Sequence, residues 1–441
     1  MSPDPSQPVA PAGSSLRERI AEEIRRCGPI PFSRYMQLCL YEPELGYYSR
    51  AREQFGKVGD FYTSSDVHAV FGRLLARQFE EMWRALDSPQ RIDVIELGPG
   101  RGLFARDVLD WSARQFPDFA RALHYALVEQ SPPLREKLRE RLAEHIAAGK
   151  CQVCESLEEA ASVSHRSANE KQKDEAPAMS GRAAALAAPS RPLASRHSER
   201  ASAREESALA SANTAPGDDL ILFANEFFDA LPVEVIDHRG AVRVGVENGR
   251  FVESFAAPSA AETEFLDRYG IHPDAGERVE APLASLAWMD RLAAAFQDRR
   301  GFAVLIDYGY TREEQLAGRH RDTIMTYRQH TASPSPYEAP GEQDITAHVN
   351  FTALRARGAD RGLDSLALLT QSQFLLGIGE ETQFADAFQD CRLPQEQAKV
   401  ALQLKHLISP SGMGEVFQVL LMSHNVAKEK AASLGGLKLA H

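Results

Sequence analysis

The chain is short of basic charge. Against 62 Asp+Glu it carries 50 Lys+Arg, a formal net charge of −12. A surface of that sign excludes a general binder of nucleic acid or of anionic membranes, since both need a basic field. Long hydrophobic runs are lacking too. No stretch approaches the ~20 apolar residues that span a bilayer, so membrane insertion through a helix is not expected. Cysteine is sparse, five in 441 residues, an odd set that gives no disulfide framework and fits a reducing compartment. Cys151-Gln-Val-Cys154 is one C-x-x-C without a second pair, whereas a structural zinc needs four ligands. It is read as two strand cysteines, and no metal is expected. The opening MSPDPSQPVAPAGSS has no arginine and no apolar core. It reads as a disordered tail (1–14) and not as a secretory or mitochondrial leader, so the expected location is the cytoplasm of a bacterial-type cell.

What is present is an interrupted α/β pattern. Ser15 caps a helix with apolar residues at Leu16, Ile20 and Ile24, which Gly28 stops. A second helix from Pro31 breaks before Pro43 and runs into an aromatic loop, GYYS. Val67, Val70, Phe71, Leu74, Leu75, Phe79 and Met82 then form a stripe at helical spacing. Residues 15–90 therefore read as an N-terminal helical or lid region. From 91 the pattern becomes strand (91–98), helix (102–116), strand (124–130), helix (132–146), which predicts a parallel sheet over 91–161. Residues 162–216 contain no Phe, Trp or Tyr and read as a disordered insertion. The sheet resumes over 217–425, with a strand ending at Ala224 or Asn225 and a small β insertion at about 233–287. A helix over 288–300, a strand at 302–310 and two last strands near 363–369 and 415–423 complete it. Residues 426–441 read as a flexible tail.

The sharpest chemical signal is Glu96-Leu97-Gly98-Pro99-Gly100-Arg101-Gly102, directly after a strand and opening a helix. Glycines there allow a tight turn and close approach of backbone to ligand. A dinucleotide fingerprint G-x-G-x-x-G would need Gly at 103, where this chain has Leu, which disfavours an NAD oxidoreductase. The spacing acidic-x-G-x-G-x-G resembles that of class I S-adenosylmethionine (SAM) methyltransferases. An acid near the loop suits a cationic ligand, which places Glu96 at the methionine end. Glu129 ends the second strand, where a carboxylate can accept from both ribose hydroxyls. Gln130 and Ser131 border the adenine side.

Asn225-Glu226-Phe227-Phe228-Asp229 follows the next strand. Glu226 beside the donor methyl is what a guanidinium acceptor would need, because a carboxylate accepts paired N–H bonds and holds the nitrogen in line. Asp229 would lie one helical turn away on the same face, either as a second carboxylate or as a helix cap. Gly59-Asp60-Phe61-Tyr62-Thr63 suggests a loop over the ligand, and Asp307 stands at a strand end. His330 and His348 sit in polar loops and read as surface histidines.

Taken together, PFSRYMQLCLYEPELGYYS, GDFYTSSDVHAVFG, IELGPGRG, NEFFDALPVEV, IDYGY, DITAHVNFTAL and SGMGEVFQVL resemble the MidA-like family of class I methyltransferases, whose members include a mitochondrial arginine methyltransferase. The resemblance runs from about 16 to 425, outside 162–216. It implies a Rossmann-like seven-stranded sheet and SAM as cofactor. Gly98, Gly100 and Gly102 carry over as the SAM loop, Asp60 and Thr63 as a loop near the cofactor, and Asn225 and Glu226 as the motif after strand four. It further implies symmetric dimethylation of an arginine in a protein substrate, for the mitochondrial member a respiratory-chain subunit. A SAM-binding assembly factor without turnover and a small-molecule methyltransferase are the alternatives. Oligomeric state is not legible.

Overall fold

The computed structural model describes residues 15–49, 69–162, 219–328, 331–333 and 335–440. The expected tail 1–14, nearly all of the 162–216 insertion, the loop bearing Asp60 and Thr63, and His330 lie outside the described residues. Helix α1 (Leu16–Cys27) opens with a full capping box, in which the Ser15 side chain and the Glu18 side chain satisfy each other's backbone N–H. Gly28 at φ +80° closes it. A two-residue strand β1 (Ile30–Pro31) leads into α2 (Phe32–Tyr41) and a 3-10 turn at Tyr47–Ser49. Helix α3 (Ala69–Ala85) follows, burying Val70, Phe71, Leu74, Leu75, Phe79 and Met82 along one stripe.

The central sheet is then built from β2 (Ile92–Leu97), β3 (Leu123–Val128), β4 (Cys151–Cys154) and β5 (Asp219–Asn225). The insertion supplies β6 (Glu234–Asp237), β7 (Gly240–Glu247), β8 (Arg250–Ala256) and β9 (Arg278–Ala281), after which β10 (Gly301–Tyr310) returns to the centre. Short strands β11 (Met325–Arg328), β12 (Thr331–Ser333), β13 (Asp344–Thr346) and β14 (Val349–Asn350) precede the closing pair, β15 (Asp364–Thr370) and β16 (Phe417–His424).

The order across the central sheet is β15-β16-β10-β5-β2-β3-β4, with β14 attached at the end of β10. Strands β2, β3, β4, β5 and β10 pair in parallel, and β16 is antiparallel to both its neighbours. This is the expected seven-stranded Rossmann-like α/β sheet with its antiparallel last strand. Alternation along buried strands splits the core into two layers. Ile92, Val94, Ile221, Phe223, Val304 and Ile306 face one side with α3, while Ile95, Leu97, Leu222, Ala224, Ala303 and Leu305 face the other. The same alternation separates the C-x-x-C pair: Cys151 enters the first layer and Cys154 the second, both as free thiols.

A third core is separate. Leu16, Ile20, Ile24, Phe32, Tyr35, Met36 and Leu40 of α1 and α2 pack on Val233, Val235, Val242 and Val244 of the insertion and on Ile345. Strand β1 pairs antiparallel with β7, which ties the N-terminal arm to the insertion sheet β1-β7-β6-β9. The C-terminal stretch corrects its expectation as a flexible tail. Ala431 and Leu434 are buried, and the Gly435 and Gly436 N–H groups donate to Glu81 Oε2 and Gln78 Oε1, each at 2.7 Å. Two glycines permit that close approach, a signal that hydropathy does not carry. Among the described residues no helix is long and apolar enough to cross a membrane.

Candidate functional site

Strand direction collects the site. Strands β2, β3, β5 and β10 end on one edge of the sheet, and the chain order reverses between β2 and β5, which opens a crevice there. Leu97 stands in register with Val128 on one side and Ala224 on the other. The loops beginning at Gly98, Glu129 and Asn225 therefore start as neighbours.

The first loop needs its glycines. Gly98, Gly100 and Gly102 have φ of +61°, +51° and +70°, a region that costs other residues roughly 1–2 kcal/mol. A Cβ at Gly98 would stand 2.9 Å from Phe227 Cδ2, and one at Gly102 would stand 2.6 Å from Leu138 Cδ2. The Gly98 N–H donates to the Val128 carbonyl at 3.1 Å, fixing the turn to the neighbouring strand. Helix Leu103–Gln115 then begins with no side-chain cap.

Glu96 is buried on the α3 side, where the Tyr125 hydroxyl donates to Oε2 at 2.9 Å. Burial pushes its carboxyl up to about 8. Glu129 Oε1 accepts the Ser131 N–H at 2.8 Å, and desolvation pushes that carboxyl up to about 7. Gln130 lies at the surface, its carbonyl taking the Arg135 guanidinium at 2.8 Å.

Beyond β5 the expectation of a helix through Glu226 and Asp229 fails. Residues 226–231 form an irregular turn with Glu226 at φ +50°. Its N–H donates to the Ile306 carbonyl at 2.9 Å, and Asn225 Nδ2 donates to Glu226 Oε1 at 3.2 Å. Asp307 sets this turn: its Oδ2 accepts the N–H groups of Phe227, Phe228 and Asp229 at 3.2, 3.0 and 3.2 Å. A buried carboxylate receiving three donors overrides the helical spacing of Glu226 and Asp229. Burial, together with the charges of Asp229 and Glu226, holds the Asp307 carboxyl well above the ordinary range. The Tyr308 hydroxyl donates to Asp229 Oδ2 at 2.6 Å, and burial pushes the Asp229 carboxyl up to about 6.

Sequence reasoning gave Tyr41, Tyr48 and Asp344 no role and set Ser131 only on the adenine side. Tyr41 donates to the Ala230 carbonyl at 2.9 Å, Tyr48 donates to the Asp344 carboxylate at 3.1 Å, and Ser131 donates to the Tyr48 carbonyl at 3.2 Å. Tyr41 ends α2, Tyr48 lies in the aromatic loop GYYS and Asp344 opens the DITAHVN stretch, and none of these segments shows by spacing that it returns to the same edge. His348 corrects its reading as a surface residue: it is half-buried, with Nδ1 3.1 Å from His320 Nδ1 and its ring 5.3 Å from Tyr308. Burial lowers it to about 4.

The donor set fits a cationic ligand. The charges of Glu129 and Asp229 both reach Tyr41, and those of Asp229 and Glu226 reach Asp307, while Glu96 lies beneath α3 at the end of β2; among the described residues no Arg or Lys side chain bonds to the carboxylates of Glu96, Glu129, Asp229 or Asp307. The buried oxygens Asn225 Oδ1 and Asp229 Oδ1 have no hydrogen-bond partner among the described residues. Carboxylates left in that condition favour positive charge beside them. Among the described residues no group of three His, Cys, Asp or Glu is placed to hold a metal ion.

Residues 74–369 match the family described as "Putative S-adenosyl-L-methionine-dependent methyltransferase". The chain is 29% identical to the Drosophila melanogaster "Protein arginine methyltransferase NDUFAF7 homolog, mitochondrial", over 95% of this chain and 87% of that one. It is 27% identical to the Homo sapiens protein of that name, over 93% and 82%. A crystal structure from Burkholderia thailandensis with S-adenosyl-homocysteine (SAH) bound superimposes with a TM-score of 0.70 at 26% identity, covering 96% of this chain and 94% of that one. These relatives overturn the expectation of a cytoplasmic protein, for the curated ones carry mitochondrial names. That expectation rested on the composition of the opening residues alone.

Proposed function

Since the chain belongs to this family and is a SAM-dependent methyltransferase, we propose that it methylates an arginine guanidinium of a partner protein. A respiratory-chain subunit is the first candidate, and symmetric dimethylation is the product. The observation that carries the reading is the meeting of the glycine loop, Glu129 and the Asn225–Asp229 turn at the reversal point of one sheet.

SAM, when bound, supplies a methyl group already activated by its sulfonium. The backbone of Gly98, Gly100 and Gly102 lies against it, Glu96 serves the methionine end, Glu129 accepts from the ribose hydroxyls and Gln130 borders the adenine. Asp60 and Thr63 close over the cofactor. Glu226, held by Asn225, accepts N–H bonds from the acceptor guanidinium and aligns one nitrogen for in-line attack, and Asp229 is the second carboxylate. As the nitrogen–methyl bond forms and the sulfur–methyl bond breaks, the guanidinium gives up one proton to these carboxylates. Orientation of this kind is worth several kcal/mol, on the order of 7–11 at its upper end.

The test is transfer of tritiated methyl from SAM into an extract lacking this protein. Protease-sensitive, nuclease-resistant label that hydrolyses to dimethylarginine supports the reading. Label absent from protein despite measured SAM binding overturns it.

A further inference from the structure

We propose that Tyr41 and Tyr48 of the N-terminal arm and Asp344 of β13 form, with Asp229, a binding site for the planar cation of the acceptor, so that the arm supplies a wall to the site that the turn after β5 begins. The inference rests on the guanidinium reading above and goes beyond it by assigning the wall that receives the side chain.

Four observations place these groups together. The rings of Tyr41 and Tyr48 stack at 5.5 Å and 28°. Tyr41 is anchored to the Ala230 carbonyl inside the turn that carries Asp229. Tyr48 reaches both carboxylate oxygens of Asp344, at 3.1 and 3.2 Å. The Ala347 N–H donates to the Asp229 carbonyl at 3.0 Å, which fixes the Asp344 strand to the same turn. Asp229 and Asp344 are 4% and 2% exposed, whereas the two tyrosines are half-buried. Burial pushes both phenols well above their ordinary range, and the charges of both aspartates add to it.

The chemistry follows from what is left over. Tyr308 occupies Asp229 Oδ2, and the buried Asp229 Oδ1 has no well-aligned donor among the described residues, with only the backbone N–H groups of Asp229 and Ala230 near the carboxylate. An unpartnered buried carboxylate oxygen beside an aromatic face asks for a donor that is both charged and flat. A guanidinium meets both demands, bonding to a carboxylate edge-on while its face lies on a ring. An ammonium is a strongly hydrated point charge that uses only the first. Cation–π contact with a desolvated ring adds to the preference.

The test uses the full chain and two bisubstrate probes, in which adenosine is tethered through its 5′ position either to a guanidine or to a primary amine. Calorimetry gives their affinities relative to SAH. In the unchanged protein the guanidine probe should bind at least 10-fold tighter than the amine probe. Asp344→Asn and Tyr48→Leu should each remove most of that advantage while SAH affinity stays within 2-fold, which also certifies the fold. Should the guanidine probe gain nothing over SAH in the unchanged protein, the arginine reading itself falls. Should it gain and both variants keep the gain, the arm does not contact the acceptor and this inference alone is overturned. Equal affinity for the two probes overturns it as well, because the site would then read charge without shape.

Discussion

Replacing Glu96 by Gln should make the protein more stable in alkali and no more stable in acid. The carboxyl lies buried under α3 with one hydroxyl donor from Tyr125. Raising it from an ordinary 4.5 to about 8 corresponds to roughly 5 kcal/mol in favour of the protonated form. A carboxyl raised in the folded state adds stability that is full below pH 4.5 and is lost as the pH rises through 8. Gln copies the protonated acid, keeps an acceptor for Tyr125 and does not titrate. Urea denaturation of the ligand-free proteins at pH 5, 7 and 9 gives the difference directly. The two should agree near pH 5, and the variant should be ahead by several kcal/mol at pH 9. Parallel stability curves across that range would refute the argument that Glu96 titrates in place. The same proton links to the cofactor. A sulfonium and an ammonium entering the crevice favour the ionised carboxylate, so SAM binding at pH 7 should release protons. Titration in buffers of different ionisation enthalpy counts them, and Glu96→Gln should release fewer.

Three further outcomes are expected. Gly102→Ala puts a Cβ 2.6 Å from Leu138 at φ +70° and should cost roughly 1–3 kcal/mol, with SAH affinity falling at least 10-fold by calorimetry; unchanged affinity would mean the loop is not the cofactor's seat. Asp307→Ala removes the acceptor for three turn N–H groups and should lower turnover at least 10-fold with SAH affinity nearly kept, as steady-state rates against binding would reveal. Leu434→Ala empties a buried position near the C-terminus and should cost about 2–5 kcal/mol; a melting temperature that does not move would show that this stretch is not bound to the sheet domain.

The sheet was legible because its strands are short apolar runs that alternate with helices at βαβ spacing. Val94, Ile95 and Leu97 read as buried without any tertiary knowledge. The glycine loop was legible for the same reason: its residues are contiguous. Asp307 shows what was not. Its position at a strand end was visible, but its three bonds reach residues nearly eighty positions away, and only the parallel pairing of β5 with β10 brings them within reach. The error over Asp229 has the same origin, since helical spacing within a short window is overridden by a donor–acceptor network closed from outside. Tyr41, Tyr48 and Asp344 are three segments of one wall. No periodicity joins residues in a loop after α2 to a strand three hundred positions on.

The separate core beneath α1 and α2 bears on how the enzyme opens. That core is shared with the insertion strands and not with either layer of the catalytic sheet, so the arm and the insertion form their own cooperative unit. Such a unit exchanges its amides with an opening free energy of its own. Tyr48 belongs to it, yet its carbonyl is held by Ser131 on the cofactor side. A cofactor that orders the Ser131 loop should carry that order through this contact, and amide exchange in α1 and α2 should slow when SAH is added.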